Sequence, residues 1–409
     1  MVQRENRFDL IRLTTVSGLE GWAAAPAMGK ERAGLGHLLG PYLLGERADD
    51  VPSIRQRVRE MGYLGWRVGW IEPACWDILG KARKTPVWRL LSGSASPAPT
   101  VRLYASMGEA FDPAEEQAVA RLAEGFSGVK LRVHAATLEE DLARMTGVRR
   151  AIGADATLMV DANQGWRVAV IADAPRWDLA RAEAFCRAAA DLGVAWVEEP
   201  LPHDAYEDLA RLRAAVGGRV AIAGGELNGQ GLPEFGVLLE KGCLDVYQPD
   251  AVFTGGIAST WGIVNRVRAA GARFSPHTWT NGFGFAVNLQ LFAASPYVST
   301  GLLEYPIAPP GWVPSARDGL LAEGWPHEGG SLRVPERPGL GFEVDSRALA
   351  RHGDHFFTAD KVRVALRAVW DRGIGPARAL GATRDARLAA RSAALDGVDP
   401  VAAALADAR

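Results

Sequence analysis

Between residues 130 and 304 a short apolar run ends seven times in one ionisable side chain, and successive ends lie 24 to 37 residues apart. Leu158 to Val160 delivers Asp161, Val194 to Val197 delivers Glu198, and Val220 to Ala223 delivers Glu226 through Gly224 and Gly225. The other ends are Lys130, Asp250, His277 and Glu304. Apolar runs of this length, closed by a charge, read as buried strands with a polar tip. One strand–helix unit needs about 30 residues, so the spacing demands an alternating α/β chain. Eight parallel strands at this period close into a barrel of the TIM type, whose chemistry sits beyond the strand carboxyl ends. An open doubly wound sheet would place acids at one or two strand ends near a switch point, not at most of them.

The pattern divides the chain into 1–98, 99–325 and 326–409. In the first part, Phe8 to Thr15 and Leu19 to Trp22 form a hairpin about Ser17-Gly18, and 23–40 reads as a mobile loop rich in Ala, Gly and Pro. Helical spacing over 54–91 puts Trp70, Ile71, Ala74, Trp76, Ile78 and Leu79 on one apolar face. The result is a small α+β unit. In the second part, strands are expected at 100–106, 128–133, 244–248, 272–276 and 298–304, besides those ending in Asp161, Glu198 and Glu226. Helices are expected at 113–124, 138–152, 178–192, 204–215, 232–240, 256–270 and 283–294. Glu139, Glu140 and Asp141 open the helix at 138, where acids favour the positive end of the helix dipole. Residues 305–345, rich in Pro and Gly, are expected to fold back on the first unit. Residues 346–409 read as Ala- and Arg-rich helices with a structural or oligomerising role.

Composition narrows the function. A net charge of −2 with 23% charged residues gives no electrostatic case for nucleic acid. No run of about 18 apolar residues suggests a membrane span, and the charged start lacks the apolar core of a secretory signal. The 3 cysteines, Cys75, Cys186 and Cys243, are scattered and odd in number, as in a reducing compartment such as the cytoplasm.

On adjacent strand tips, Asp161, Glu198 and Glu226 converge. Like charges a few ångströms apart need a cation between them, and an all-oxygen set with open positions suits Mg²⁺. Asp250 and His277 on the next two tips lie within reach of each other, and a carboxylate on one imidazole nitrogen raises the basicity of the other. Lys130 and Arg132, two apart, face the same side of a strand. Glu304 is suited to hydrogen-bond a substrate oxygen or to support a neighbour. Asn163 lies beside Asp161, and Trp279, Asn281 and Tyr104 are candidate pocket walls.

These motifs resemble the enolase superfamily in its mandelate racemase/muconate lactonizing enzyme-like branch. The matching pieces are Lys130-x-Arg132, Asp161-Ala162-Asn163-Gln164-Gly165, Glu198-Glu199-Pro200, Gly225-Glu226, Pro249-Asp250, Pro276-His277 and Leu303-Glu304-Tyr305, with Gly18 to Trp22 and Trp76 to Lys81 in the first unit. The resemblance implies a modified (β/α)7β barrel under an α+β N-terminal capping domain. It implies Mg²⁺ on Asp161, Glu198 and Glu226, and a small-molecule carboxylate substrate that loses its α-proton to give an enediolate. It further implies His277, oriented by Asp250, as acid/base, Glu304 as a hydrogen-bonding partner of the enediolate, and a homo-oligomer, from dimer to octamer. Two departures stand out. Arg132 replaces the usual second Lys and stays protonated at any working pH, and Ala23-Ala24 replaces the frequent Gly-Glu after Trp22. One acid/base then suits dehydration of an aldonate or aldarate to a 2-keto-3-deoxy acid. A racemase, epimerase or cycloisomerase, or a catalytically silent member, are the alternatives.

Overall fold

The structure, a computed structural model, describes residues 6–26, 35–65, 67–96, 98–108, 113–167, 174–309 and 312–407. The N-terminal unit opens with the antiparallel hairpin β1 (Phe8–Thr14) and β2 (Glu20–Pro26), followed by helices α1 (Leu35–Leu43), α2 (Val51–Tyr63), α3 (Glu72–Ala82) and α4 (Val87–Ser92). The return strand continues past Trp22 through Ala23, Ala24 and Ala25, where a loop was expected, and all three are buried. Alanine is a poor strand signal, but here α3 lies against the hairpin. A Cβ on Gly21 would sit 2.0 Å from the Ala74 carbonyl oxygen, so small residues are required. The rest of the expected loop is α1, apart from 27–34, which lie outside the described residues. The helical stretch expected over 54–91 is three helices, and its six apolar markers are all buried.

The barrel alternates β3 (Thr100–Ser106), α5 (Ala114–Ala123), β4 (Gly128–Arg132), α6 (Leu138–Ile152), β5 (Thr157–Asp161), α7 (Leu179–Asp191), β6 (Trp196–Glu198) and α8 (Tyr206–Val216). It continues with β7 (Ala221–Gly224), α9 (Leu232–Glu240), β8 (Val246–Tyr247), α10 (Ile257–Ala269), β9 (Arg273–Phe274), α11 (Gly282–Ala294) and β10 (Leu303–Pro306). Eight parallel strands and seven helices make the (β/α)7β arrangement, and β10 returns to pair with β3. No ladder joins β9 to β10 among the described residues. Side chains seal that seam: Ser275 Oγ donates to the Leu302 carbonyl at 3.0 Å, and the Thr278 amide donates to Glu304 Oε2 at 2.7 Å. Helix starts follow the sequence signals. Thr137 and Glu140 form a reciprocal capping box at α6.

Tyr104, Met159, Trp196, Ala221, Ala223 and Val246 form one apolar layer inside the barrel. Tyr104, expected as a pocket wall, is thus core. It is fully buried and meets Trp196 edge-on at 5.5 Å. Asn281 is likewise taken up by the fold: its Oδ1 accepts from the amides of Phe283 and Gly284 and caps α11, a helix buried along its whole length.

After β10 come α12 (Pro314–Asp318), β11 (Ser331–Arg333), α13 (Ser346–His352), α14 (Lys361–Arg372), α15 (Ile374–Ala394) and α16 (Pro400–Asp407). The segment expected to return to the N-terminal unit does so where the Leu340 amide donates to Asp77 Oδ1 at 2.9 Å, but β11 also adds an antiparallel strand to the start of β3. The helical tail docks on the N-terminal unit. Arg391 pairs with Asp50 at 2.7 Å, Arg387 with Glu46 at 2.8 Å, and Arg384 donates to the Leu44 carbonyl. The three cysteines are free and buried. No helix among the described residues is long and apolar enough to cross a membrane.

One buried carboxylate ties the N-terminal unit to the barrel. Glu72 of α3 accepts from the amides of Ile257 at 2.7 Å and Ala258 at 3.0 Å, and from Trp76 Nε1 at 2.8 Å. Gly256, at φ +96°, offers α10 no side-chain cap of its own, so Glu72 supplies it. Glu72→Ala strands three buried donors and is expected to destabilise the fold by about 3 kcal/mol or more. Denaturant titration of wild type and variant measures the loss.

Candidate active site

The strand registers assemble the site. Arg132 is level with Asp161, Asp161 with Glu198, and Glu198 with Ala223, so three charged side chains share one height at the barrel mouth. Beyond the strands the backbone bends sharply. Asn163 (φ +48°) and Glu199 (φ +46°) both adopt the left-handed conformation, rare without glycine. The turn is held by backbone bonds from Ala162 to Glu198, Gln164 to Glu199 and Glu199 to Ala223, at 2.8 to 3.0 Å. It also explains Gly165: a Cβ there would lie 2.1 Å from Glu199 Oε1.

Lys130 is buried in the middle of the acids. Its Nζ lies 2.6 Å from Glu198 Oε1, 2.8 Å from Glu304 Oε1 and 3.8 Å from Asp161 Oδ2. Burial alone would depress its pKa, but Glu198, Glu304, Tyr104 and Asp161 together hold it well above the usual lysine range. Its ammonium is paired with Glu198 and Glu304 at contact distance. Glu304, although buried, is held down to about 2 by Lys130 and then His277. It lies within β10 rather than at its tip.

Asp250 and His277 each sit three residues past a two-residue strand, shorter than expected, yet they meet as the sequence suggests. His277 Nδ1 lies 3.0 Å from Asp250 Oδ2. Asp250 Oδ1 accepts from the Val252 amide at 2.9 Å and from Asn288 Nδ2 at 2.8 Å, which fixes the carboxylate. His277 Nε2 faces Glu226 Oε2 at 3.2 Å. Burial works against the imidazolium, but Glu226, Asp250 and Glu304 outweigh it and raise the pKa to about 10.

Asp161, Glu198 and Glu226 are all shifted upward, first by burial. Each is then raised further by another of the three: Asp161 by Glu226, Glu198 by Asp161, and Glu226 by Glu198. Glu199 is buried beside them, and neither of its oxygens has a hydrogen-bond partner among the described residues. This excess of hard oxygen donors over fixed cations fits a divalent ion such as Mg²⁺. In their present rotamers Glu198 turns to Lys130 and Gln248, and Glu226 to His277. Among the described residues no three His, Cys, Asp or Glu side chains close into a ready-made metal cage.

Of the other expected residues, Asn163 serves Asp161, which accepts from its backbone amide at 2.9 Å and its Nδ2 at 3.1 Å. Trp279 does reach the mouth: its Nε1 donates to Ser106 Oγ at 2.7 Å, and its ring stacks on Trp312. Sequence reasoning missed Gln248, whose Nε2 lies 2.6 Å from Glu198, and Asn288. Asn288 carries a signal in hindsight, as one of two buried amides, with Gln290, in an otherwise apolar helix.

Residues 2–92 match the family described as mandelate racemase/muconate lactonizing enzyme, N-terminal domain, and 114–348 match Enolase C-terminal domain-like. The chain is 30% identical over 281 residues to an arabinonate dehydratase of Saccharolobus solfataricus, covering 67% of this chain and 68% of that one. It is 30% identical over 366 residues to a D-galactarolactone cycloisomerase of Agrobacterium fabrum, covering 84% and 92%. An L-talarate dehydratase from Polaromonas sp. JS666, crystallised with Mg and L-glucarate, superimposes with a TM-score of 0.69 at 26% identity, over 83% of this chain and 90% of that one. Two family matches that span both units, over a barrel whose mouth carries these carboxylates, make the chain a member of the enolase superfamily, in its mandelate racemase/muconate lactonizing enzyme branch.

Proposed function

We propose that this protein is a Mg²⁺-dependent dehydratase of a sugar acid. The observation that carries the reading is the buried His277–Asp250 pair, set in a mouth where the opposing base position is filled by Arg132. Arginine keeps its proton at any working pH, so one residue must both take and return the proton. β-Elimination of water needs no more. Once Glu226 serves as a metal ligand it no longer holds the imidazolium, and the neutral His277 Nε2 takes the α-proton; the β-hydroxyl leaves with that proton as water, and the enol left behind tautomerises to a 2-keto-3-deoxy acid. Asp250 holds the imidazole through Nδ1, which keeps Nε2 aimed at the substrate. Lys130, held by Glu304, meets the substrate carboxylate as fixed positive charge for the dianionic intermediate. Bound at Asp161, Glu198 and Glu226, Mg²⁺ would supply Lewis-acid stabilisation of the same charge.

The test is incubation of the protein and Mg²⁺ with a panel of aldonic and aldaric acids, with assay for keto acid. Turnover is expected for at least one acid, to be abolished by EDTA and restored by Mg²⁺. His277→Ala is expected to lower kcat by about a hundred- to ten-thousandfold, with Asp250→Asn showing a smaller loss in kcat. Turnover that survives His277→Ala would sink the assignment. Lys130→Met leaves Glu198 and Glu304 buried without their cation, so it is expected to destabilise the fold by about 3 to 5 kcal/mol as well as to reduce turnover. Parallel denaturation and rate measurements separate the two losses. The likeness to the cycloisomerase, over 84% of this chain, favours lactone ring-opening as the second reading. An acyclic isomer formed from a lactone without loss of water would select it.

A further inference from the structure

We infer that Arg132 is the specificity-determining residue of this site and that it reads a second carboxylate, so that diacids are the preferred substrate class. The inference rests on the dehydratase reading for the place of the first carboxylate, beside Lys130. The relatives leave the choice open, since one is named for arabinonate, a monoacid, and another was crystallised with L-glucarate, a diacid.

Arg132 ends β4, and its side chain shares the mouth with Asp161. Its guanidinium lies over the indole of Trp279, 5.2 Å from the ring centroid. Trp279 is itself braced, stacked on Trp312 with centroids 5.6 Å apart and tethered to Ser106. A cation laid on a fixed ring is pre-oriented. Its hydrogen-bonding capacity is nevertheless little used. The nearest carboxylate oxygen, Asp161 Oδ2, is 3.8 Å from Nη2, beyond hydrogen-bond distance. The Nε atom is buried and has no hydrogen-bond partner among the described residues. A guanidinium carries five donors in a planar fork that matches a carboxylate in two-point contact. Lys130, by contrast, is committed to Glu198 and Glu304. The mouth therefore presents one cation with two of its three donors taken and one underused, rigidly held cation. A chain with carboxylates at both ends engages both regions, whereas an acid ending in a primary alcohol leaves the Arg132 fork unmatched. Unmatched donors in a half-buried site are the basis of strong discrimination.

The experiment compares kcat/KM for a six-carbon aldarate and for the aldonate of the same configuration, in wild type, Arg132→Met and Arg132→Lys, all with Mg²⁺. Wild type is expected to favour the diacid at least tenfold. Arg132→Met is expected to lower kcat/KM for the diacid by about ten- to a hundredfold, chiefly through KM, and to leave the monoacid within about threefold. Arg132→Lys is expected to recover part of the loss. Equal losses on both acids would place Arg132 in the shared chemical step and overturn the inference, as would a wild type that prefers the monoacid. Calorimetric binding of the same two acids to His277→Ala, with and without Arg132→Met, separates this inference from the dehydratase reading. If wild type converts neither acid, that reading fails, while diacid-selective binding lost on Arg132→Met still supports the clamp. Binding that ignores Arg132 rejects it.

Discussion

A lysine ammonium packed among carboxylates, sealed from water, is the interaction on which this barrel mouth depends. Neither partner is tolerable alone, because an isolated buried ion carries a large desolvation penalty. Lys130 bridges β6 and β10 through Glu198 and Glu304, the strands flanking opposite sides of its own neighbourhood. Glu304 in turn accepts from Thr278 and so helps seal the seam between β9 and β10, where no ladder runs. One charge cluster thus serves both barrel closure and the site. The acids still outnumber the cations, and that imbalance suits the mouth to a divalent ion.

The three basic side chains of the mouth meet the acids in different ways. Lys130 is paired with Glu198 and Glu304. His277 is held between Asp250 and Glu226, one on each ring nitrogen. Arg132 rests on an aromatic face with its acid at arm's length. Lys130 and His277 thus have carboxylates at contact distance, and Arg132 does not.

The acids were legible because each belongs to a local pattern: an apolar strand, then a charge, then a turn. Repetition at a near-constant interval gave the barrel, since no other common α/β architecture needs so many equivalent strand ends. The errors came where tertiary contacts decide. Ala23 to Ala25 form a strand because α3 presses on the hairpin, which three alanines do not announce. Tyr104 and Asn281 look like pocket residues from the strand-end pattern, but one fills the barrel core and the other closes a helix start. Gln248 and Asn288 reach Glu198 and Asp250 across 50 and 38 residues of sequence, a separation that no local window senses.

The shared cap at Glu72 has a thermodynamic corollary. Because the first turn of α10 is completed by a side chain from the other unit, neither unit retains its full complement of buried hydrogen bonds once the two part company. Melting of this two-part chain is therefore coupled across the junction, and a calorimetric trace should show one endotherm whose van't Hoff and measured enthalpies agree, rather than a staircase of independent steps.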